Sequence, residues 1–412
     1  MMDVNHTSDR PAVLAAAVIM WGTTAYGYIN TGFSIAMIVF ALYFLWTRYK
    51  KAPLPHWQLD RRMLWAFGIL YGALFLTTIF HLDNMKNLSG GYFSALGFIQ
   101  YTFPLWMLLY IGWTRDLRKV LCGTFYIILY AFCIFGLVKY VMLGETRLSS
   151  FYGFPTRIGM LLDMFIPMTA AFMAYYWENV RFRYSSILLI LLEMVCMVLA
   201  EVRGSMLAMS IAVVSVAALW MAQNKERLSK RARMVIAAAV ILFVAAAAVY
   251  AVGLRWGNPS AMLGGERFMM WESSFHMWMD HSFAGIGLNE WQAAYAEGPY
   301  HPAASREAGQ VMPHNVFVYF FATAGTVGGL AYVAYCALML AWLTDRTKKQ
   351  AANPFAWAML FMFIAATAHG LVDQTFILKL TGRVFYLLLG VGILFMRTRE
   401  TGQIGEKIHG RK

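Results

Sequence analysis

Three side chains combine a residue type and a setting that could do chemistry. Arg203 stands in Ala200-Glu201-Val202-Arg203-Gly204-Ser205, wedged between two apolar runs with almost no loop. A guanidinium at membrane depth is costly unless an anion meets it, so Arg203 reads as an anion ligand. Its rival readings are an internal pair with Glu201, or snorkelling to the headgroups. If Gly204 and Ser205 open the following helix, their backbone N–H groups add anion-binding capacity. Arg267 stands in Gly264-Gly265-Glu266-Arg267-Phe268-Met269-Met270-Trp271. A cation in a helix's first turn opposes the macrodipole, and an anionic ligand would remove the conflict; the competing reading is a surface arginine paired with Glu266 or Glu272. His314 lies in Met312-Pro313-His314-Asn315-Val316-Phe317, where a long polar stretch re-enters an apolar run. A neutral imidazole there can accept a proton from a hydroxyl near neutral pH. Pro313 fixes the turn, and Asn315 is placed to orient the ring or a substrate. A purely structural histidine is the alternative.

The elements that must position these residues follow from composition. The chain has 412 residues, 60% hydrophobic and 13% charged, against about 25% charged in soluble domains. That much apolar surface fits no water-soluble core, so the chain reads as an all-α integral membrane protein, a single polytopic domain over 1–412. A nucleic-acid enzyme, a secreted disulfide scaffold and a soluble dinucleotide-binding oxidoreductase are excluded. The net charge of +13 reflects loop topology rather than a nucleic-acid partner. Cys122, Cys133, Cys196 and Cys336 all fall in apolar stretches without metal-ligand spacing and read as buried small hydrophobes.

A span needs about 20 mostly apolar residues. Twelve stretches qualify, near 12–29, 31–47, 63–80, 93–113, 120–143, 157–177, 184–200, 204–222, 234–254, 316–343, 354–372 and 380–397. If the first terminus is cytoplasmic, 24 of the 34 Lys and Arg residues fall in inside segments, the bias expected of cytoplasmic loops. Both termini are then cytoplasmic, and 255–313 becomes one large outside loop, long enough to be functional. Within it, Phe268, Trp271, Phe275, Trp278 and Met279 recur at the spacing of one helix face. The expectation is an amphipathic helix lying on the outer interface. The run Ala322-Thr323-Ala324-Gly325-Thr326-Val327-Gly328-Gly329 should break the tenth span, giving a short first segment that carries His314. Arg147, Arg157, Lys379 and Arg383 are further outside cations able to hold phosphates or lipid headgroups. Asp163, Glu193 and His369 mark the bundle interior and carry no assigned role. No HExxH, Walker loop, acidic pair or Cys/His cluster is present in the sequence, so neither a metal nor a cofactor is expected.

The order of these features resembles the O-antigen ligase family of the bacterial inner membrane. The resemblance rests on Arg203-Gly204-Ser205 opening a span, then Glu266-Arg267 with Trp271, then Gly285-Ile286-Gly287-Leu288-Asn289, then His314-Asn315-Val316-Phe317 before a glycine-containing span. It covers about residues 195–345; the first half matches in span number and orientation alone. It implies a GT-C-type, inverting, metal-independent glycosyltransferase. The donor would be a glycan on undecaprenyl pyrophosphate, and the acceptor a sugar hydroxyl of lipid A–core at the periplasmic face. By position, Arg203 and Arg267 match the arginines thought to hold the pyrophosphate, and His314 the histidine thought to activate the hydroxyl. Gly204, Ser205, Trp271, Asn315, Arg147, Arg157 and Arg383 are read as supporting residues. Two forked cations do suit a diphosphate. The insert Tyr300-His301-Pro302-Ala303-Ala304 departs from the ligase pattern and resembles a wider set of ligase and polymerase homologues. An arginine followed eleven positions later by glycine, a spacing of some polymerases, is missing: Trp278 follows Arg267 and Phe317 follows Arg306. The rival readings are a polymerase using the same donor and, from a different class, a twelve-span transporter, which should show related halves.

Overall fold

The computed structural model describes residues 10–24, 30–52, 59–91, 93–112, 115–253, 265–296, 298–305 and 309–409. In chain order the helices are α1 (Arg10–Thr24), α2 (Asn30–Tyr49), α3 (Arg61–Ile79), α4 (Ala95–Tyr101), α5 (Phe103–Ile111), α6 (Arg115–Leu143), α7 (Pro155–Tyr175), α8 (Val180–Ala200), α9 (Arg203–Gln223), α10 (Lys230–Gly253), α11 (Gly265–Asp280), α12 (Trp291–Ala296), α13 (Val316–Lys349), α14 (Pro354–His369) and α15 (Lys379–His409). Among the described residues there is no strand. Among the described residues nine helices, α2, α3, α6–α10, α13 and α15, are long and apolar enough to cross a membrane, and Ala95–Ile111 (α4–α5) and Pro354–His369 (α14) are shorter apolar helices. α1 overlaps the first stretch read from the sequence. The chain is an integral membrane protein of the all-α class.

Where the chain turns, it does so with short polar caps. Asp60, Ser94, Asn179, Asn315 and Asn353 each accept a hydrogen bond from a first-turn N–H of the helix that follows, which satisfies donors that would otherwise be orphaned in an apolar setting. The layers are uneven. The apolar window of α15 is 94% buried and that of α10 is 0% buried, so the bundle is built around α15 while α10 rests on α9 with its other faces to lipid. α14 packs against both α7 and α9.

The expected break in the tenth span falls at Gly325, which leaves the helix at φ 63° and ψ −164°. The freed backbone groups find partners in the segment 282–287. The N–H groups of Ile286 and Gly287 donate to the carbonyls of Ala322 and Thr323, both at 3.0 Å, and the Thr326 N–H donates to the Ser282 carbonyl at 2.7 Å. A β carbon on Gly285 would collide with the Thr323 carbonyl group, and one on Gly325 with the Phe283 carbonyl. The Gly-Ile-Gly motif and the glycine-rich break are therefore two sides of one junction, which replaces helical hydrogen bonds with hydrogen bonds to a loop. Gly325→Ala should lower the thermal unfolding midpoint of the detergent-purified protein, since overpacking costs about 1–3 kcal/mol and φ is positive as well. A variant melting with the wild type would show that the junction yields freely.

Two expectations change here. His314 does not ride on the first half of the broken helix. It precedes it, in the left-handed region at φ 52°, and Asn315 spends its side-chain oxygen on the N–H groups of Phe317 and Val318 (3.0 and 3.1 Å). Asn315 caps α13 rather than orienting the imidazole through that oxygen. The loop helix α11 also turns differently from the apolar spacing. Its Met270, Ser273, Ser274 and Met277 are buried toward α13 and α12, while Phe268, Phe275 and Met279 are more than half exposed. Trp271 and Trp278 of the apolar stripe are half-buried, their indole N–H groups on the Pro313 carbonyl and the Thr326 hydroxyl, while Phe268, Phe275 and Met279 face outward. Residues 254–264, 297 and 306–308 of the 255–313 loop, with Arg255 and Arg306, lie outside the described residues.

Candidate functional site

One end of the bundle gathers the start of α9, the start of α13, the end of α14, the start of α15 and the first turn of α11. α8 stops at Ala200 because Glu201 adopts a left-handed conformation (φ 52°, ψ 41°). The chain then reverses within two residues, so Arg203 heads α9. Arg147 holds this reversal: its Nε and Nη2 donate to the carbonyls of Ala200 and Glu201, both at 3.1 Å. The guanidinium of Arg147 thus serves a helix end, not a free anion site.

Each residue of the Arg-Gly-Ser motif has a distinct place. Arg203 leads the helix with its Nε buried and without a hydrogen-bond partner. Gly204 lies against the ring of His369, so closely that a β carbon would come within 2.8 Å of His369 Nε2. The Ser205 hydroxyl donates to Asp163 Oδ1 at 2.5 Å and stands 2.8 Å from the Gly159 carbonyl. The Ser205 N–H is engaged by the Val202 carbonyl at 3.1 Å, so the first-turn donors left without an i−4 carbonyl partner at the head of α9 are those of Arg203 and Gly204. Asp163 on α7 also takes the Nδ1 proton of His369 at 2.5 Å. All three of Asp163, Ser205 and His369 are fully buried.

The second group centres on His314. Its Nδ1 lies 3.1 Å from Asp373 Oδ1, and its Nε2 lies 3.0 Å from the Gln310 side-chain oxygen. The Trp271 indole N–H donates to the Pro313 carbonyl at 2.8 Å, so α11 clamps the turn that presents His314. The Val316 N–H donates to the Gly370 carbonyl at 2.7 Å, tying the start of α13 to the segment that carries Asp373. Burial raises the Asp373 carboxyl, but the His314 hydrogen bond and the charges of His314, His369 and Arg267 outweigh it and hold it below its usual value. Asp373 is therefore a fixed anion behind the ring. Its negative charge faces the ring nitrogen opposite the one turned to Gln310.

Arg267 is exposed in the first turn of α11, and its charge is felt at both Asp373 and His369. Glu266 accepts from the Ser305 hydroxyl at 3.0 Å. Among the described residues neither Arg203 nor Arg267 forms an ion pair, so neither Glu201 nor Glu272 claims them. The other arginines are occupied elsewhere. Arg157 Nη1 donates to the Tyr152 carbonyl (3.2 Å) and covers the Phe154 ring. Arg383 is 2% exposed, donates to Gln100 at 2.8 Å and lies 3.8 Å over the Phe33 ring. Glu193 accepts from Thr169 at 3.0 Å, joining α8 to α7.

Sequence reasoning placed Arg203, Arg267 and His314 but missed Asp373 and Gln310, and it left His369 and Asp163 without a role. The available signal was weak: Asp373-Gln374 interrupts an apolar stretch at the same end of the bundle as His314. Nothing local marks it as the partner of a histidine 59 positions earlier in the chain.

Residues 186–333 match the family model described as O-antigen ligase. The match takes in Arg203, Arg267, His314 and the Gly325 junction, and it leaves Asp163, His369, Asp373 and Arg383 outside. No curated protein matches the chain.

Proposed function

We propose that this chain, which carries the O-antigen ligase family's domain at residues 186–333, transfers a glycan from undecaprenyl pyrophosphate to a sugar hydroxyl of lipid A–core at the periplasmic face of the inner membrane. The observation that carries the reading is the Asp-backed His314, with Arg267 close enough for its charge to act on Asp373 and with Arg203 heading α9, neither arginine in an ion pair among the described residues. Arg203 and Arg267 are the candidate ligands of the diphosphate, with the Arg203 and Gly204 N–H groups at the head of α9 beside them. His314 Nε2 takes the proton of the acceptor hydroxyl, displacing Gln310, while Asp373 stabilises the imidazolium. The hydroxyl oxygen bonds to the anomeric carbon as the bond from that carbon to the pyrophosphate oxygen breaks. Undecaprenyl pyrophosphate leaves, and a single displacement inverts the anomeric configuration. Holding the two reactants in line and stabilising the departing charge supply most of the acceleration.

The orientation rests on the inside-positive loops. It puts both termini in the cytoplasm and the site on the outer face. Undecaprenyl-pyrophosphate glycan, lipid A–core and the surrounding lipids are the expected partners, with no nucleic acid, metal or cofactor. A polymerase that extends a second lipid-linked glycan is the alternative, favoured by the Tyr300–Ala304 insert. The test is transfer in vitro by the purified protein, offered lipid A–core and lipid-linked glycan as competing acceptors. Modified lipid A–core, formed equally well with a chelator present, is the expected product. Extension of the glycan alone would replace ligase by polymerase, and loss of transfer restored by a divalent ion would overturn metal independence.

A further inference from the structure

Among the described residues, two of the buried polar atoms that lack hydrogen-bond partners are one on Arg203 and one on a residue packed against the neighbouring Gly204. His369 is fully buried, yet its Nε2 has no hydrogen bond, and the buried Nε of Arg203 has none either. Their residues flank Gly204: Arg203 precedes it in the chain, and His369 Nε2 lies within 2.8 Å of where its β carbon would stand. An unmet polar group in a membrane interior costs free energy that a partner would recover. The two atoms are also complementary. His369 Nδ1 faces Asp163 Oδ2 at 2.5 Å; in the neutral tautomer that donates from Nδ1 to this carboxylate, Nε2 presents a lone pair, whereas Arg203 Nε can only donate. Asp163 is itself held by the Ser205 hydroxyl at 2.5 Å, from the first turn of the same helix that Arg203 heads.

We propose that the buried chain Ser205–Asp163–His369 is the positioning device for Arg203: when the diphosphate occupies the site, His369 Nε2 accepts the Arg203 Nε–H and turns both terminal nitrogens of the guanidinium toward the ligand. A guanidinium offers five donors in a fixed fork. Tying down Nε leaves the Nη pair to address two phosphate oxygens, as bidentate recognition requires. The need for glycine at 204 follows, because any β carbon would hold the imidazole away. So does the need for a hydroxyl at 205, which keeps Asp163 aimed at His369. His369 and Asp163 are positioning residues, not catalytic ones. Their place outside the 186–333 match means that α7 and α14 complete a motif whose recognisable part lies on α9.

The inference rests on the diphosphate reading of Arg203, and a double-mutant cycle separates the two. Donor KM and kcat are measured with purified undecaprenyl-pyrophosphate glycan for the wild type, His369→Ala, Arg203→Lys and the double variant, with thermal unfolding as the folding control. Lysine has no Nε–H to be held. His369→Ala should raise donor KM about tenfold with little change in kcat, the loss expected for misaligning a charge-assisted hydrogen bond, and it should add nothing in the Arg203→Lys background. His369→Gln, which can present an amide oxygen where Nε2 stood, should recover part of the loss. If His369→Ala fails to fold, Asp163→Asn takes its place in the cycle. Effects of the two substitutions that multiply independently, or a His369→Ala enzyme with wild-type donor KM beside a crippled Arg203→Lys, would overturn the positioning role alone. Wild-type donor KM in Arg203→Lys would overturn the diphosphate reading and the positioning role together.

Discussion

Replacing His314 by alanine is expected to reduce turnover about 10²–10⁴-fold, the usual contribution of a general base, while donor binding is retained. The separation follows from the geometry. The arginines proposed to address the donor lie on α9 and α11, whereas His314 sits before α13 with Asp373 and Gln310 on its two ring nitrogens. Only the neutral imidazole can accept the hydroxyl proton. Asp373 stays charged behind it, because its carboxyl is held below its usual value. Asp373→Asn keeps the shape of the side chain but removes the charge behind the ring. It should cost about ten- to a hundredfold in kcat, the worth of one hydrogen bond to a developing charge. The checking measurement is single-turnover transfer alongside an independent donor-binding assay. A His314→Gln enzyme turning over at the wild-type rate would reduce His314 to a structural role at the Pro313 turn.

The second large effect is expected at the arginines. Arg203→Lys and Arg267→Lys retain a positive charge but lose the forked geometry that matches two phosphate oxygens. Transfer should fall by about 10²-fold or more in each, on the scale of removing one preorganised donor from a developing anion, while expression and membrane insertion persist. The contexts of the two residues differ. Arg203 is held at the head of α9 by the Glu201 reversal and the Arg147 clamp, so its replacement should act chiefly on donor KM. Arg267 is exposed on a loop helix, so its guanidinium must be drawn in by the ligand. Its loss should appear in both KM and kcat, and less strongly at high salt, where the pull of the diphosphate on an exposed cation is already screened in the wild type. Full activity in both lysine variants would remove the diphosphate clamp.

What the sequence determined by itself is whatever depends on local chemistry and one-dimensional order. Apolar run lengths dictated a membrane bundle, because every backbone polar group in lipid must be satisfied within a helix. The glycine-rich stretch announced the break at Gly325. Arg203, Arg267 and His314 stood out because charge and imidazole at membrane depth are costly and therefore informative. Pairings between distant segments were decided by tertiary structure alone. Asp373 backs His314 because α14 ends where α13 begins, and the Gly370 carbonyl ties the two ends together. Gly285 matters because the loop it sits in must take over the hydrogen bonds that Gly325 releases. The apolar stripe of α11 was legible, but not which face would be buried: the contact with the bundle runs through Met270, Ser273, Ser274 and Met277. Likewise Asp163 and His369 read singly as interior polar residues. Only the packing of α14 between α7 and α9 made them a pair, because a hydrogen bond between residues 206 positions apart leaves no spacing in the chain to be read.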